Sequence, residues 1–179
     1  MKYLHIYPQS VSDGPGIRVS IYVSGCRNHC PGCHNPDSWD FNSGEEFTDK
    51  TIQEVLKALS FDYITGLTIC GGEPMEPENQ CEILRLVKAA REAYPWKTIW
   101  CYTGYNWEDL QPDGKRCFDY TDRLLSYIDV LVVGPYIEQL RDITKNNLWR
   151  GSTNQRVISV LDSKFTGTPQ FVENIPNNK

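Results

Sequence analysis

Leu67-Thr68-Ile69-Cys70-Gly71-Gly72-Glu73-Pro74 is a short buried-type run broken by two glycines. Beyond it Ile83, Val87, Ala90 and Tyr94 mark one face of a helix that Pro95 stops. The same strand-then-helix pattern continues on both sides. Upstream, Ile17–Ser24 is β-branched and aromatic, and Ile52, Val55, Leu56 and Leu59 recur at helical spacing after Thr48 and Asp49, either of which can cap a helix. Downstream, Thr98–Thr103 ends at Gly104, Leu124, Leu125 and Ile128 mark a short helix, Val130–Val133 is another apolar strand, and Arg156–Val160 is a last one. Near the start, Tyr3–Tyr7 and Ile17–Ser24 flank Asp13-Gly14-Pro15-Gly16, which reads as the turn of a strand pair. Parallel strands need crossover connections, which helices between strands supply, so the pattern predicts an α/β domain with a mostly parallel sheet. A complete eight-fold β/α barrel takes about 250 residues. At 179 residues the expectation is an incomplete, open β/α barrel. Residues 1–162 are expected to form one domain and residues 163–179, with Asn174, Asn177 and Asn178, a polar C-terminal tail.

With 40% hydrophobic and 12% aromatic residues, the chain carries enough apolar material for a core, which excludes overall disorder. Eighteen Lys and Arg against 23 Asp and Glu give a net charge of -5, the wrong sign for holding phosphates or an anionic membrane. No stretch approaches the roughly 18 apolar residues of a membrane span. Met1–Pro8 alternates polar and apolar residues instead of forming a leader core, so a cytoplasmic location is expected. Of the seven cysteines, Cys26, Cys30 and Cys33 lie within eight residues, which in a reducing compartment reads as a metal site. Cys70 and Cys101 sit inside apolar strands and read as small core hydrophobes, and Cys81 and Cys117 as incidental thiols.

Three segments fall at the carboxyl ends of predicted strands: the cysteine loop, Gly71-Gly72-Glu73-Pro74 and Tyr102-Thr103-Gly104-Tyr105. That edge of a parallel sheet is where ligands and catalysis collect. The spacing C-x3-C-x2-C supplies three thiolates, whereas a cubane iron–sulfur cluster has four irons, so one iron is left open for a substrate. The alternative is a closed zinc site of the three cysteines with His29 or His34. Gly71-Gly72 offers backbone amides open to close approach and Glu73 a carboxylate suited to an ammonium group, which fits an amino-acid-like ligand. An ordinary β-α turn with a solvated Glu is the other reading.

Taken together, these motifs resemble the radical S-adenosylmethionine enzymes and, among them, the glycyl-radical activating enzymes. Cys26-x3-Cys30-x2-Cys33 with His34-Asn35-Pro36 and Trp39 is similar to their cluster loop, and Gly71-Gly72-Glu73-Pro74 to their loop for the methionine amino group. The Asp13-Gly14-Pro15-Gly16 turn, Tyr102–Tyr105 and Trp149-Arg150-Gly151-Ser152-Thr153-Asn154-Gln155 resemble the branch that acts on anaerobic ribonucleoside-triphosphate reductase; the likeness spans Tyr3 to Val160.

The resemblance implies an oxidoreductase with a [4Fe-4S] cluster on Cys26, Cys30 and Cys33. S-adenosylmethionine would sit against Gly32, Cys33, His34, Gly71, Gly72, Glu73 and Tyr102, with no catalytic residue beyond the cluster and cofactor. It further implies cleavage to a 5′-deoxyadenosyl radical, hydrogen abstraction from a glycine of the partner reductase, and an electron donor such as flavodoxin. Arg150 is expected to anchor the partner. Two positions depart from the family pattern: Gly32 stands where many relatives have an aromatic residue, leaving its backbone to meet the base, and Val133-Gly134-Pro135-Tyr136 replaces a charged Asp-Gly-Lys or Asp-Gly-Arg. Activation of another glycyl-radical enzyme such as pyruvate formate-lyase, a small radical enzyme acting on a pterin-like molecule, and a zinc-binding adaptor are the competing functions.

Overall fold

The computed structural model describes residues 1–142 and 149–172. One eight-stranded sheet runs through it in the order β3-β1-β2-β4-β5-β6-β7-β8. The strands are β1 (Lys2–Ser10), β2 (Ile17–Val23), β3 (Glu45–Glu46), β4 (Ile64–Gly71), β5 (Thr98–Thr103), β6 (Val130–Val133), β7 (Arg156–Ser159) and β8 (Gln170–Phe171). The middle four, β2, β4, β5 and β6, are mutually parallel. The flanking pairs, β1 with β2 and β3, and β7 with β6 and β8, are antiparallel. The fold is therefore mixed α/β, with a parallel centre whose strands are joined by crossover helices and antiparallel margins on both sides. Beyond residue 162 the chain continues through the end of helix α4 (Val160–Thr166) and β8, and the polar Asn174, Asn177 and Asn178 lie outside the described residues.

Helices α1 (Asp49–Leu59), α2 (Pro77–Ala93) and α3 (Thr121–Leu125) are the crossovers, and their apolar stripes bury one sheet face. Ile52, Val55 and Leu59 of α1, Ile83, Leu86, Val87 and Ala90 of α2, and Leu124 and Leu125 of α3 pack on Val19, Ile21, Leu67, Ile69, Ile99, Cys101 and Leu131. Alternation along each strand sends the intervening residues to the opposite face. There the register aligns Arg18 with Gly66 and Thr98, Ser20 with Thr68 and Trp100, and Tyr22 with Cys70. Arg18 is completely buried on this second face. Its guanidinium donates to Thr68 Oγ1 (2.7 Å), Thr98 Oγ1 (3.0 Å), Leu67 O (2.7 Å) and Thr98 O (3.0 Å), and lies over the Trp100 ring. It thus ties β2 to β4 and β5 below the level where the site begins.

Candidate active site

The cysteine loop leaves β2 and closes on itself at its neck: Gly25 N–H donates to Ser38 O (2.8 Å) and Cys26 N–H to Trp39 O (3.1 Å). The turn after β4 locks onto that neck. Gly72 N–H donates to Val23 O (2.7 Å), and Glu73 N–H to Gly25 O (2.8 Å). A Cβ on Gly72 would stand 2.6 Å from Gly25 O and 3.0 Å from Ser38 O, so only glycine permits this approach. From the first turn of α2, Asn79 Nδ2 donates to Ser24 O and Glu73 O, both at 3.0 Å.

Glu73 is fully buried where the three segments meet. One carboxylate oxygen accepts from Met75 N (2.9 Å) and Thr103 Oγ1 (2.7 Å), the other from Asn28 Nδ2 (2.9 Å) and Gly104 N (2.7 Å). Burial pushes its acid up to about 7, against the pull of the hydrogen bonds from Thr103, Met75 and Gly104.

Around this carboxylate opens a cleft of about 250 Å³. Cys26, Cys30, Cys33, His34, Gly71, Gly72, Glu73 and Tyr102 all line it. Gly32 is not among the lining residues; it sits in the left-handed region at φ +70 beside the Glu138 carboxylate. The walls also include Asn28, Trp39, Thr103, Tyr136 and Gln155, which the motifs had not singled out as ligand contacts. Strand period was a usable signal for two more. Cys70, expected as a small core hydrophobe, instead faces the cleft beside Tyr22 on the second sheet face, because its strand position alternates away from the helices, whereas Cys101 packs under them as expected. A second cavity of about 360 Å³ shares Tyr22, Cys70 and Tyr102 with the cleft and reaches Asp13, Trp149 and Arg150.

All three loop cysteines are free thiols. Burial pushes the Cys26 thiol up to about 11 and raises Cys30 as well. Among the described residues no three His, Cys, Asp or Glu side chains gather closely enough to hold a single metal ion. His29 is stacked on Trp39 (4.5 Å between ring centres), and His34 packs against Tyr136 (4.8 Å). Two buried donors in the cleft wall, Asn35 Nδ2 and Trp39 Nε1, find no acceptor among the described residues. Three thiols spread round one cleft, with unpaired donors beside them, fit a group that takes several thiolates at separate corners and presents acceptor sulfurs of its own.

Trp149–Gln155 is knitted to the loop after β6. Gln155 Oε1 accepts from Gly151 N (2.8 Å) and Ser152 N (3.1 Å), while Gln155 Nε2 donates to Gly134 O (2.9 Å) and Asn154 Nδ2 to Pro135 O (2.8 Å). Arg150 Nε donates to Asp142 Oδ2 at 3.1 Å. These bonds hold Gly134, Tyr136, Gly151 and Gln155 together on the cleft wall, where Tyr136 meets His34 of the cysteine loop.

The family model of a 4Fe-4S single cluster domain matches residues 12–158. The chain is 40% identical over 162 residues to the anaerobic ribonucleoside-triphosphate reductase-activating protein of Enterobacteria phage T4, covering 90% of this chain and 96% of the relative. It is 37% identical to the protein of the same description from Escherichia coli K12, over 88% of this chain and 97% of the relative. The one from Vibrio cholerae is 38% identical over 87% of this chain and 96% of its own length. A similarity of this extent, covering the cysteine loop, the Gly-Gly-Glu turn and the Trp149–Gln155 segment alike, places the chain in the family of anaerobic ribonucleoside-triphosphate reductase-activating proteins, built on a 4Fe-4S single cluster domain.

Proposed function

We propose that this chain activates an anaerobic ribonucleoside-triphosphate reductase as a radical S-adenosylmethionine oxidoreductase, acting from an open β/α barrel formed by one domain over residues 1–162. The carrying observation is that the cysteine loop, the Gly71-Gly72-Glu73 turn and the Thr103-Gly104 turn converge on one cleft through Glu73. Cys26, Cys30 and Cys33 would hold three irons of a [4Fe-4S] cluster, leaving the fourth to S-adenosylmethionine. When bound, these groups supply a one-electron cleavage to methionine and a 5′-deoxyadenosyl radical, which takes a hydrogen from a glycine of the reductase.

The protein's own part is positioning and exclusion of water. The Gly71-Gly72 backbone and Glu73 orient the methionine amino group, while Tyr102, His34, Cys33 and the Gly32 backbone bound the adenosine side. Of these residues Gly32 alone stands outside the cleft lining, beside the Glu138 carboxylate. Trp149–Gln155 and Arg150 face the reductase beside the second cavity. A flavodoxin-type donor supplies the electron, and the cytoplasm is the compartment for this chemistry. No helix among the described residues is long and apolar enough to cross a membrane.

The testing experiment is anaerobic reconstitution with iron and sulfide, then reduction in the presence of S-adenosylmethionine. The expected result is one four-iron cluster per chain and release of 5′-deoxyadenosine, both lost in Cys30→Ala. Stoichiometric zinc, with no cluster able to cleave S-adenosylmethionine, contradicts the reading and favours a zinc-binding adaptor.

A further inference from the structure

A carboxylate offers about four acceptor positions. At Glu73 four donors already occupy them, two on each oxygen. An ammonium group that is to bind this carboxylate must therefore take the place of a donor, and the four differ in how readily they leave. Met75 N is a backbone amide that does not line the cleft. Thr103 Oγ1 is buried and fixed from its other side by Tyr105 N at 3.1 Å. Gly104 N is held by the backbone that follows β5. Asn28 Nδ2 alone belongs to a half-buried side chain that lines the cleft and can swing away by rotation about its own bonds.

We propose that Asn28 is a placeholder for the ligand's ammonium group: its amide satisfies Glu73 in the ligand-free protein and yields that seat when an amino-acid-type ligand arrives. The inference rests on the reading of S-adenosylmethionine as that ligand. Gly104 shows how narrow the seat is, since a Cβ there would stand 2.4 Å from Asn28 Nδ2 and 3.4 Å from Glu73 Oε2. Because Asn28 lies between Cys26 and Cys30, exchanging it for the ligand removes one tie between the cysteine loop and the Glu73 turn, while Glu73 N–H to Gly25 O and Arg27 to Glu76 keep the loop in place.

The test measures S-adenosylmethionine affinity by equilibrium dialysis on the reconstituted protein, comparing wild type with Asn28→Ala and with Asn28→Leu, which keeps a similar volume. An S-adenosylmethionine analogue lacking the amino group is the control ligand, and iron content and melting temperature monitor folding. Removing a competitor weakens only the ligand-free state. Both variants are therefore expected to bind S-adenosylmethionine more tightly, by up to about tenfold, the scale of one hydrogen bond to a charged acceptor. Affinity for the amino-free analogue should stay unchanged. Weaker or unchanged S-adenosylmethionine binding in a variant with normal iron content overturns the proposal and makes Asn28 a permanent tie or a bystander. Absence of binding in the wild type contradicts the parent reading itself and removes this inference with it.

Discussion

A buried carboxylate fed by four donors is the residue on which the account turns, and its acid strength gives it a measurable signature. Glu73 titrates near 7 in the folded chain against about 4.5 when unfolded, because burial disfavours its charge. The folded state therefore binds more protons than the unfolded state between those values. Its contribution to stability is full below about 4.5 and is lost as pH rises through 7, a change of roughly 3 kcal/mol if the whole shift is expressed. Urea unfolding of ligand-free protein at pH 5 and pH 8 should show wild type losing stability by an amount that Glu73→Gln does not lose. Equal pH dependence in the two proteins would mean that Glu73 stays ionised throughout, its donors outweighing its burial. This residue was legible in the sequence as a carboxylate beside two glycines, whereas its partner Asn28 was not. Nothing in the local pattern of Arg27-Asn28-His29 says that the loop folds back so that the middle side chain reaches a turn 45 residues away.

At the scale of elements, the strand-and-helix alternation was readable because each crossover helix presents a single apolar stripe, and β5 and β6 begin and end where their β-branched runs do. The margins were less readable. The two-residue strands β3 and β8 have no hydrophobic period to detect and exist only because a neighbour's edge is there to pair with. Nothing in the local pattern of Ile17–Ser24 marks Arg18; its burial is a tertiary fact, made possible by Thr68, Thr98 and two carbonyl oxygens on adjacent strands. The contact between the neck of the cysteine loop and the turn after β4 gives the prediction that belongs here. Gly72→Ala forces a methyl against Gly25 O and Ser38 O, both backbone atoms that cannot step aside without opening the neck. The variant should keep its far-ultraviolet circular dichroism yet retain less than half the wild-type iron after reconstitution and desalting. Full iron retention would show that the loop and the turn are not mechanically joined.

The molecule as a whole places helices on one face of the sheet and leaves the strand ends, with the second cavity beside them, to ligand and partner. Trp149–Gln155 lines both cavities, through Gly151 and Gln155 in the cleft and Trp149, Arg150 and Gly151 in the second, and is the segment proposed above to face the reductase. Arg150→Ala should leave cleavage of S-adenosylmethionine in the absence of partner nearly unchanged while lowering activation of the reductase severalfold. A parallel fall of both with the melting temperature would assign Arg150 to holding Asp142 and the loop instead. The most direct measurement of the central claim is electron paramagnetic resonance on the reduced, reconstituted chain mixed with S-adenosylmethionine and the anaerobic ribonucleoside-triphosphate reductase. A glycyl-radical signal on the reductase is expected that requires all three components and disappears with Cys26→Ala, Cys30→Ala or Cys33→Ala; no signal from protein carrying an intact, reducible four-iron cluster and bound S-adenosylmethionine would contradict the proposed activity.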